Sequence, residues 1–261
     1  MTPHTLNRIA CRTRGYEGNQ NPAGLLSIVE KAVAAPVRVI KEITKPGDIK
    51  RTLKANIDPW GPLCIHEYLW DVKRTIVSPV RLSRAERTWQ YYDEMLKNRV
   101  AVPEPVLFLE LKKIIFSVRT YIATRWIEGA TSLYHLALKH DLSGGIDFQT
   151  ILCKGVDSVV RLHEAGFIHR DLKWSNLHYA QSPHPDIRSD IVLTDFDALK
   201  KSSSLWAQGT DFARFLIAPK KYPMNKVTFE LLIQRYLAAR DASRSTLEKA
   251  IRNYVAHVNG P

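Results

Sequence analysis

Cysteine is scarce in this chain of 261 residues, with only Cys11, Cys64 and Cys153 present. They form no even set and no metal-ligand spacing, so neither a disulfide framework nor a zinc site organises the fold; a reducing compartment follows, and the thiols serve as packing residues. Long apolar runs are missing too. No stretch approaches the ~18 apolar residues of a membrane span, and Met1 to Gly15 is basic without the apolar core of a secretory leader. The expectation is a cytoplasmic protein, in peripheral contact with a membrane at most. Internal repeats and low-complexity tracts are also absent, which excludes solenoids and arrays. Negative charge is in short supply: 26 Asp and Glu face 38 Lys and Arg, a formal excess of +12. Nucleic acid, an anionic membrane surface and a phosphorylated glycan all fit that excess, a plainly basic surface fits it as well, and ATP alone does not require it.

What is present is a globular composition, 45% hydrophobic and 25% charged, enough for one large domain or one two-lobed unit. The first 36 residues read as an N-terminal extension, of which about the first 30 are expected to be poorly ordered. From Val37 the pattern is strand-like, with Val37–Ile40 and Ile49–Ile57 flanking the turn Lys45-Pro-Gly-Asp48, and Leu63–Trp70 as a third strand. Ser83 caps a predicted helix to Lys97, with Ala85, Trp89, Tyr92 and Leu96 on one face. Pro103-Glu-Pro105 forces an extended start to a strand over Val106–Leu111, and Ile114–Ile127 gives another before Glu128-Gly129. Helical spacing then covers Leu133–Lys139 and Phe148–Glu164, and two short apolar segments, Leu177–Tyr179 and Ile191–Thr194, bracket the most polar stretch of the chain.

That stretch carries the chemistry. Phe167-Ile-His-Arg-Asp-Leu-Lys-Trp-Ser-Asn176 reads His-Arg-Asp-Leu-x-x-x-Asn, the catalytic-loop pattern of protein kinases. Phosphoryl transfer needs little covalent help; it needs an aligned hydroxyl and neutralised phosphate charge. Asp171 is the residue to orient the acceptor hydroxyl, Lys173 can reach the transferring phosphoryl, and Asn176 offers a neutral amide oxygen to Mg2+. His169 and Arg170 hold the loop. Ile191-Val-Leu-Thr-Asp-Phe-Asp197 then sets Asp195 at a strand end, as a second magnesium ligand. Asp197 replaces the glycine of Asp-Phe-Gly, which removes backbone freedom and favours a rigid, always-formed site. Two such motifs in the right order, 24 residues apart, leave little room for a chance match.

The anchor for the α- and β-phosphates is less clear. His66 stands where the third strand of a kinase offers a lysine; Lys54, Lys73 or Lys41 could substitute, or none. Glu86 and Glu94 are the candidates for its ion-pair partner, and Gly47 alone is weak support for a phosphate-covering loop. Lost transfer on a retained scaffold is the reading that His66 favours.

Several pieces resemble the lipopolysaccharide kinase family, relatives of 3-deoxy-D-manno-octulosonic acid (Kdo) kinase and the core heptose kinases of Gram-negative bacteria. They are Leu82-Ser-Arg-Ala85 with Trp89, Val102-Pro-Glu-Pro-Val106, Trp126-Ile-Glu-Gly-Ala130, Leu162-His-Glu-Ala-Gly166, the Asp-Phe-Asp triplet and Asp211-Phe-Ala-Arg214. The resemblance implies an α+β, bilobal protein-kinase-like fold: an N-lobe of antiparallel sheet plus one helix over 37–127, and a mostly helical C-lobe over 128–261. It implies ATP and Mg2+ as cofactors, Asp171, Asn176 and Asp195 as catalytic and metal residues, and Glu128-Gly129 beside the adenine. Asp211 and Arg214 belong to its supporting pattern, and His66 departs from its usual lysine. The implied acceptor is a sugar hydroxyl of the lipopolysaccharide inner core, Kdo or heptose, reached at the cytoplasmic face of the inner membrane. The implied partners are that core glycan or another anionic glycolipid and the anionic inner-membrane surface, with no nucleic acid expected; Lys112-Lys113, Lys200-Lys201 and Lys220-Lys221 are the basic clusters on offer. A Ser/Thr protein kinase is the rival enzyme, disfavoured by the short stretch after Asp197 and by Ala218-Pro-Lys220 in place of Ala-Pro-Glu. A non-catalytic module that binds glycan or membrane is the rival outside enzymology.

Overall fold

The computed structural model describes residues 7–14, 21–45, 48–70, 82–113, 116–139, 147–180, 191–217, 224–240 and 244–258. Lys73, Gly47, the Lys220-Lys221 cluster and Ala218-Pro-Lys220 lie outside them. The chain forms two units, Met1–Asp93 with Pro103–Trp126, and Glu94–Val102 with Ile127–Pro261.

In the first unit the predicted strands form an antiparallel sheet: β2 (Arg38–Lys45), β3 (Asp48–Ile57) and β4 (Gly61–Trp70), then β5 (Pro105–Lys113) and β6 (Phe116–Arg125). A sixth strand was not expected. Residues Asn7–Thr13 form β1, which pairs with β5 from Asn7↔Lys113 to Thr13↔Leu107, so the sheet order is β1-β5-β6-β4-β3-β2.

A helix was missed in the same extension. α1 (Pro22–Ala34) begins with proline at its first turn, where a missing N–H costs nothing, and Asn21 Oδ1 accepts from the Ala23 N–H at 3.1 Å. Its buried residues Leu25, Val29 and Val33 recur every four positions. They pack on the sheet face formed by Leu53, Ala55, Ile57, Leu63, Ile65, Leu107, Leu109, Tyr121 and Ala123. Three such side chains are worth about 1.5–3 kcal/mol each, and without the helix that face would be bare. Phe108 points the other way by strand alternation. Its ring meets Trp89 of α2 (Arg84–Lys97) at 6.5 Å, so α2 covers the opposite face. Ser83 caps α2 as predicted, its hydroxyl accepting from the Glu86 N–H at 3.0 Å.

In the second unit α3 (Leu133–Lys139) and α4 (Phe148–Glu164) occupy their predicted spans. α4 buries Leu152, Val156, Val159, Val160 and His163 on one stripe. Short ladders join β7 (Thr131–Ser132), β9 (Leu177–Tyr179) and β10 (Ile191–Leu193) in one sheet, and β8 (Phe167–Ile168) with β11 (Lys200–Lys201) in another. α5 (Leu205–Leu216), α6 (Lys226–Ala238) and α7 (Arg244–Val258) complete the unit.

α5 meets α7 at Gly209, where a Cβ would stand 2.7 Å from the Ala250 Cβ and 3.0 Å from the Leu247 carbonyl oxygen. Gly209→Ala should therefore lose stability by about 1–3 kcal/mol through overpacking, although alanine in a helix interior ordinarily gains about 1 kcal/mol. Urea unfolding midpoints of the two proteins check the sign. No helix among the described residues is long and apolar enough to cross a membrane.

Candidate active site

Strand β8 delivers the chain into the His169-Arg-Asp171 loop, and a 3-10 turn over Trp174–Asn176 returns it to β9. The loop hangs on one buried carboxylate. Asp211 of α5 is fully buried; its Oδ2 accepts from the His169 N–H and its Oδ1 from the Arg170 N–H, both at 2.7 Å. Arg170 has φ +66°, a left-handed conformation that costs a non-glycine residue roughly 1–2 kcal/mol, and these charge-assisted bonds offset it. Burial pushes the Asp211 carboxyl up, but its hydrogen bond and proximity to His163 and the His169 N–H outweigh that and hold it below the ordinary value.

Asp211 is thus an ionised acceptor, which fixes the next partner. Burial lowers the His163 pKa, so the ring is neutral. Nε2–H donates to Asp211 Oδ2 at 3.2 Å, and Nδ1 accepts from the Tyr236 hydroxyl at 2.7 Å. Tyr236, which the sequence reading missed, is buried on α6 and carries no local motif. Arg214 adds a weaker contact to Asp211 Oδ1 at 3.4 Å.

The loop gathers the expected reactive side chains. The Asp171 carboxylate is 43% exposed, and Lys173 Nζ donates to its Oδ2 at 2.6 Å. Asn176 Nδ2 donates to the Asp171 carbonyl at 2.8 Å and to Asp171 Oδ2 at 3.3 Å. Only an N–H can serve those acceptors, so the amide orientation is fixed with Oδ1 left to accept. Its backbone carbonyl in turn accepts from the Thr194 N–H at 2.9 Å, which seats the next residue, Asp195, beside the loop. Asp195 adopts φ +60°, ψ +62°. Two contacts hold it there: His169 Nε2 donates to the Thr194 carbonyl at 2.8 Å, and the buried Phe196 ring lies 5.4 Å from the His169 ring. Asp197 follows within a 3-10 turn, Phe196–Ala198.

One amide oxygen and one neighbouring carboxylate are hard oxygen donors of the kind Mg2+ takes when phosphates and water complete its shell. Among the described residues no cluster of three His, Cys, Asp or Glu could hold a metal ion by itself.

The strand-borne anchor is arranged differently from the expectation. His66 of β4 lies with Nδ1 3.1 Å from Thr52 Oγ1 and Nε2 3.8 Å from Cys64 Sγ. Lys54 Nζ sits 4.4 Å from the centroid of the Trp126 ring, and Lys41 lies exposed on β2. Glu86 was one of two candidates, with Glu94, to pair with a strand lysine. Instead its Oε1 accepts from Arg12 of β1 at 3.0 Å, because the added strand brings a cation to the start of α2. Glu94 pairs with Lys201 at 2.7 Å. Glu128 and Gly129 form an exposed turn with Gly129 at φ +68°, which glycine adopts without strain.

The sequence pattern of the Lipopolysaccharide kinase (Kdo/WaaP) family matches residues 71–236 of this chain. The chain belongs to the lipopolysaccharide kinase family. A solved structure described as "WaaP in complex with acyl carrier protein" shares its fold, with a TM-score of 0.62 at 15% identity, covering 97% of this chain and 100% of that chain. The fold is therefore bilobal and protein-kinase-like, and its N-lobe contains β1 and α1 besides the predicted elements. The match to the lipopolysaccharide kinase family takes in the whole Asp171 loop, Asp195, Asp211 and Tyr236; it begins after His66 and Lys54.

In this member of the lipopolysaccharide kinase family a partly buried histidine also sets an acid limit. Burial and neighbouring His135 push His178 of β9 down to about 4. Its folded pKa lies below the ordinary 6.5, so its contribution is complete above that value and is lost as pH falls towards 4. Urea unfolding at pH 7 and pH 4.5 should show a loss approaching about 3 kcal/mol, and His178→Leu should flatten that dependence.

Proposed function

We propose that this protein transfers the γ-phosphate of ATP to a sugar hydroxyl of the lipopolysaccharide inner core, Kdo or heptose. The observation that carries the reading is the joined arrangement of Asp171, Lys173, Asn176 and Asp195, tied together by the Asn176 and Thr194 hydrogen bonds. Asp171 accepts a hydrogen bond from the acceptor hydroxyl, orients its oxygen and takes the proton as the new O–P bond forms. Lys173 steadies the Asp171 carboxylate and lends positive charge to the transferring phosphoryl. Asn176 Oδ1 and the Asp195 carboxylate would hold Mg2+, which when bound supplies charge neutralisation on the phosphates. Glu128-Gly129 borders the adenine, and Lys54 and His66 are the strand residues nearest in role to a phosphate anchor. Asp197 and Glu86 support the site, Asp197 by stiffening the turn after Asp195 and Glu86 by fixing the start of α2 through Arg12.

Membership of the lipopolysaccharide kinase family and the basic surface both support a phosphorylated, carboxylated glycan acceptor, met by a peripheral protein at the cytoplasmic face of the inner membrane. A non-catalytic binding module is the second reading, favoured by the His66–Thr52 hydrogen bond at the strand position where a lysine is expected. The discriminating experiment offers Mg-ATP with dephosphorylated core glycan and a generic protein acceptor in one tube. Label on the glycan supports the proposal; label on the protein alone favours a protein kinase; label on neither, with no Mg-ATP-dependent rise in Tm, favours the binding module.

A further inference from the structure

The segment after Asp195 returns to the reactive loop and stays beside it. β11 pairs with β8 just ahead of Asp171, with Lys200 opposite Ile168, and the Ser202 N–H donates to the Gly166 carbonyl at 2.8 Å. Ser204 then caps α5, its hydroxyl accepting from the Ala207 N–H. Five residues after Trp206 the same helix supplies Asp211, whose carboxylate holds the His169 and Arg170 N–H groups. Residues 200–206 are therefore tied at both ends to the loop that carries Asp171. Trp206 follows Lys200 by six residues, so both side chains lie on one short segment that runs beside the Arg170-Asp171 loop.

Two side chains on this stretch and one on the loop are displayed and unused. Trp206 is 47% exposed, and among the described residues its indole has neither a ring contact nor a hydrogen bond. The buried tryptophans behave otherwise: Trp60 donates to the Arg14 carbonyl and Trp174 to the Phe215 carbonyl. Arg170 and Lys200 are both exposed, and neither has an acidic partner among the described residues, whereas neighbouring Lys201 is paired with Glu94. An open indole face suits the C–H face of a sugar ring, with Nε1–H as a donor at its edge. A guanidinium and an ammonium suit a carboxylate or phosphate.

The geometry points to an acceptor subsite on Trp206, Arg170 and Lys200 that binds an acidic sugar next to the hydroxyl being phosphorylated. Trp206 stacks on the ring, and the two cations take its anionic substituent. The subsite rests on the sugar-transfer reading and adds what that reading leaves open, namely how an acidic glycan is chosen over a neutral one.

The test is steady-state transfer from Mg-ATP to deacylated inner-core oligosaccharide by wild type, Trp206→Ala, Trp206→Phe and Lys200→Gln, with acceptor-free ATP hydrolysis as a control. Trp206→Ala should raise the glycan KM about ten-fold, leave the ATP KM and the background hydrolysis unchanged, and be largely rescued by Trp206→Phe. Lys200→Gln should weaken the acidic glycan alone. Carboxyl-reduced and phosphatase-treated acceptors identify the anion, since the treatment that removes it also abolishes the Lys200→Gln effect. An unchanged glycan KM in Trp206→Ala overturns the subsite. Should wild type transfer to no glycan, the sugar-kinase reading fails separately. Saturation-transfer NMR with the same oligosaccharide then decides the subsite: a signal lost in Trp206→Ala supports it, and a signal retained there or absent from wild type overturns it.

Discussion

Asp171→Asn is expected to lower phosphoryl transfer about 10³-fold while leaving the fold and the affinity for Mg-ATP nearly unchanged. The substitution keeps the shape and the hydrogen bond from Lys173, but an amide oxygen is too weak a base to draw the acceptor proton. Because the Asp171 side chain is 43% exposed, no buried charge is stranded by the change. The Asn176 contact to the Asp171 backbone carbonyl also survives. Single-turnover transfer and thermal unfolding of the same preparation check both halves. A large fall in Tm would mean that Asp171 holds the loop together, a task the structure gives to Asp211.

Asp211→Ala is expected to cost about 3–5 kcal/mol of stability and to abolish transfer as well. Removing that carboxylate leaves the His169 and Arg170 N–H groups and the His163 Nε2–H without their acceptor in a dry interior, and withdraws what holds Arg170 at positive φ. The sign with pH follows from the same network. Asp211 and His163 are both held below their ordinary values, so each contributes stability above its unfolded pKa and loses it on acidification, His163 from about pH 6.5 downward. Wild type should weaken as pH drops below that point, and because Asp211 raises the His163 pKa, Asp211→Ala should weaken at least as steeply. Urea unfolding across pH 5–8 measures this, and a flatter acid dependence in the variant would contradict it.

The sequence made the second unit legible because its signals are local. α4 shows one clean apolar stripe from Leu152 to His163, and the His-Arg-Asp and Asp-Phe-Asp segments carry their spacing in a few residues. The first unit was harder. The start of α1 was there to be read, in Asn21-Pro22 followed by Leu25, Val29 and Val33, but its stripe has meaning only against a sheet face assembled from four other strands. β1 is an edge strand whose existence depends on pairing with β5, far along the chain. That pairing also brings Glu86 a cation, Arg12, on an element the sequence did not announce. Tyr236 closes the buried histidine network from a distant helix, and no spacing rule could link it to His163. The exposed Trp206 was unremarked for the opposite reason, since exposure cannot be read from a residue's name.

The central claim is that Asp171, Asn176 and Asp195 form a working phosphotransferase site despite histidine at the strand position of the usual lysine. Single-turnover transfer of labelled γ-phosphate from saturating Mg-ATP to dephosphorylated inner-core glycan, with Asp171→Asn alongside, tests it most directly. The account predicts label on a sugar hydroxyl with wild type and almost none with the variant. Equal labelling by both, or no labelling by a wild type that demonstrably binds Mg-ATP, would contradict it.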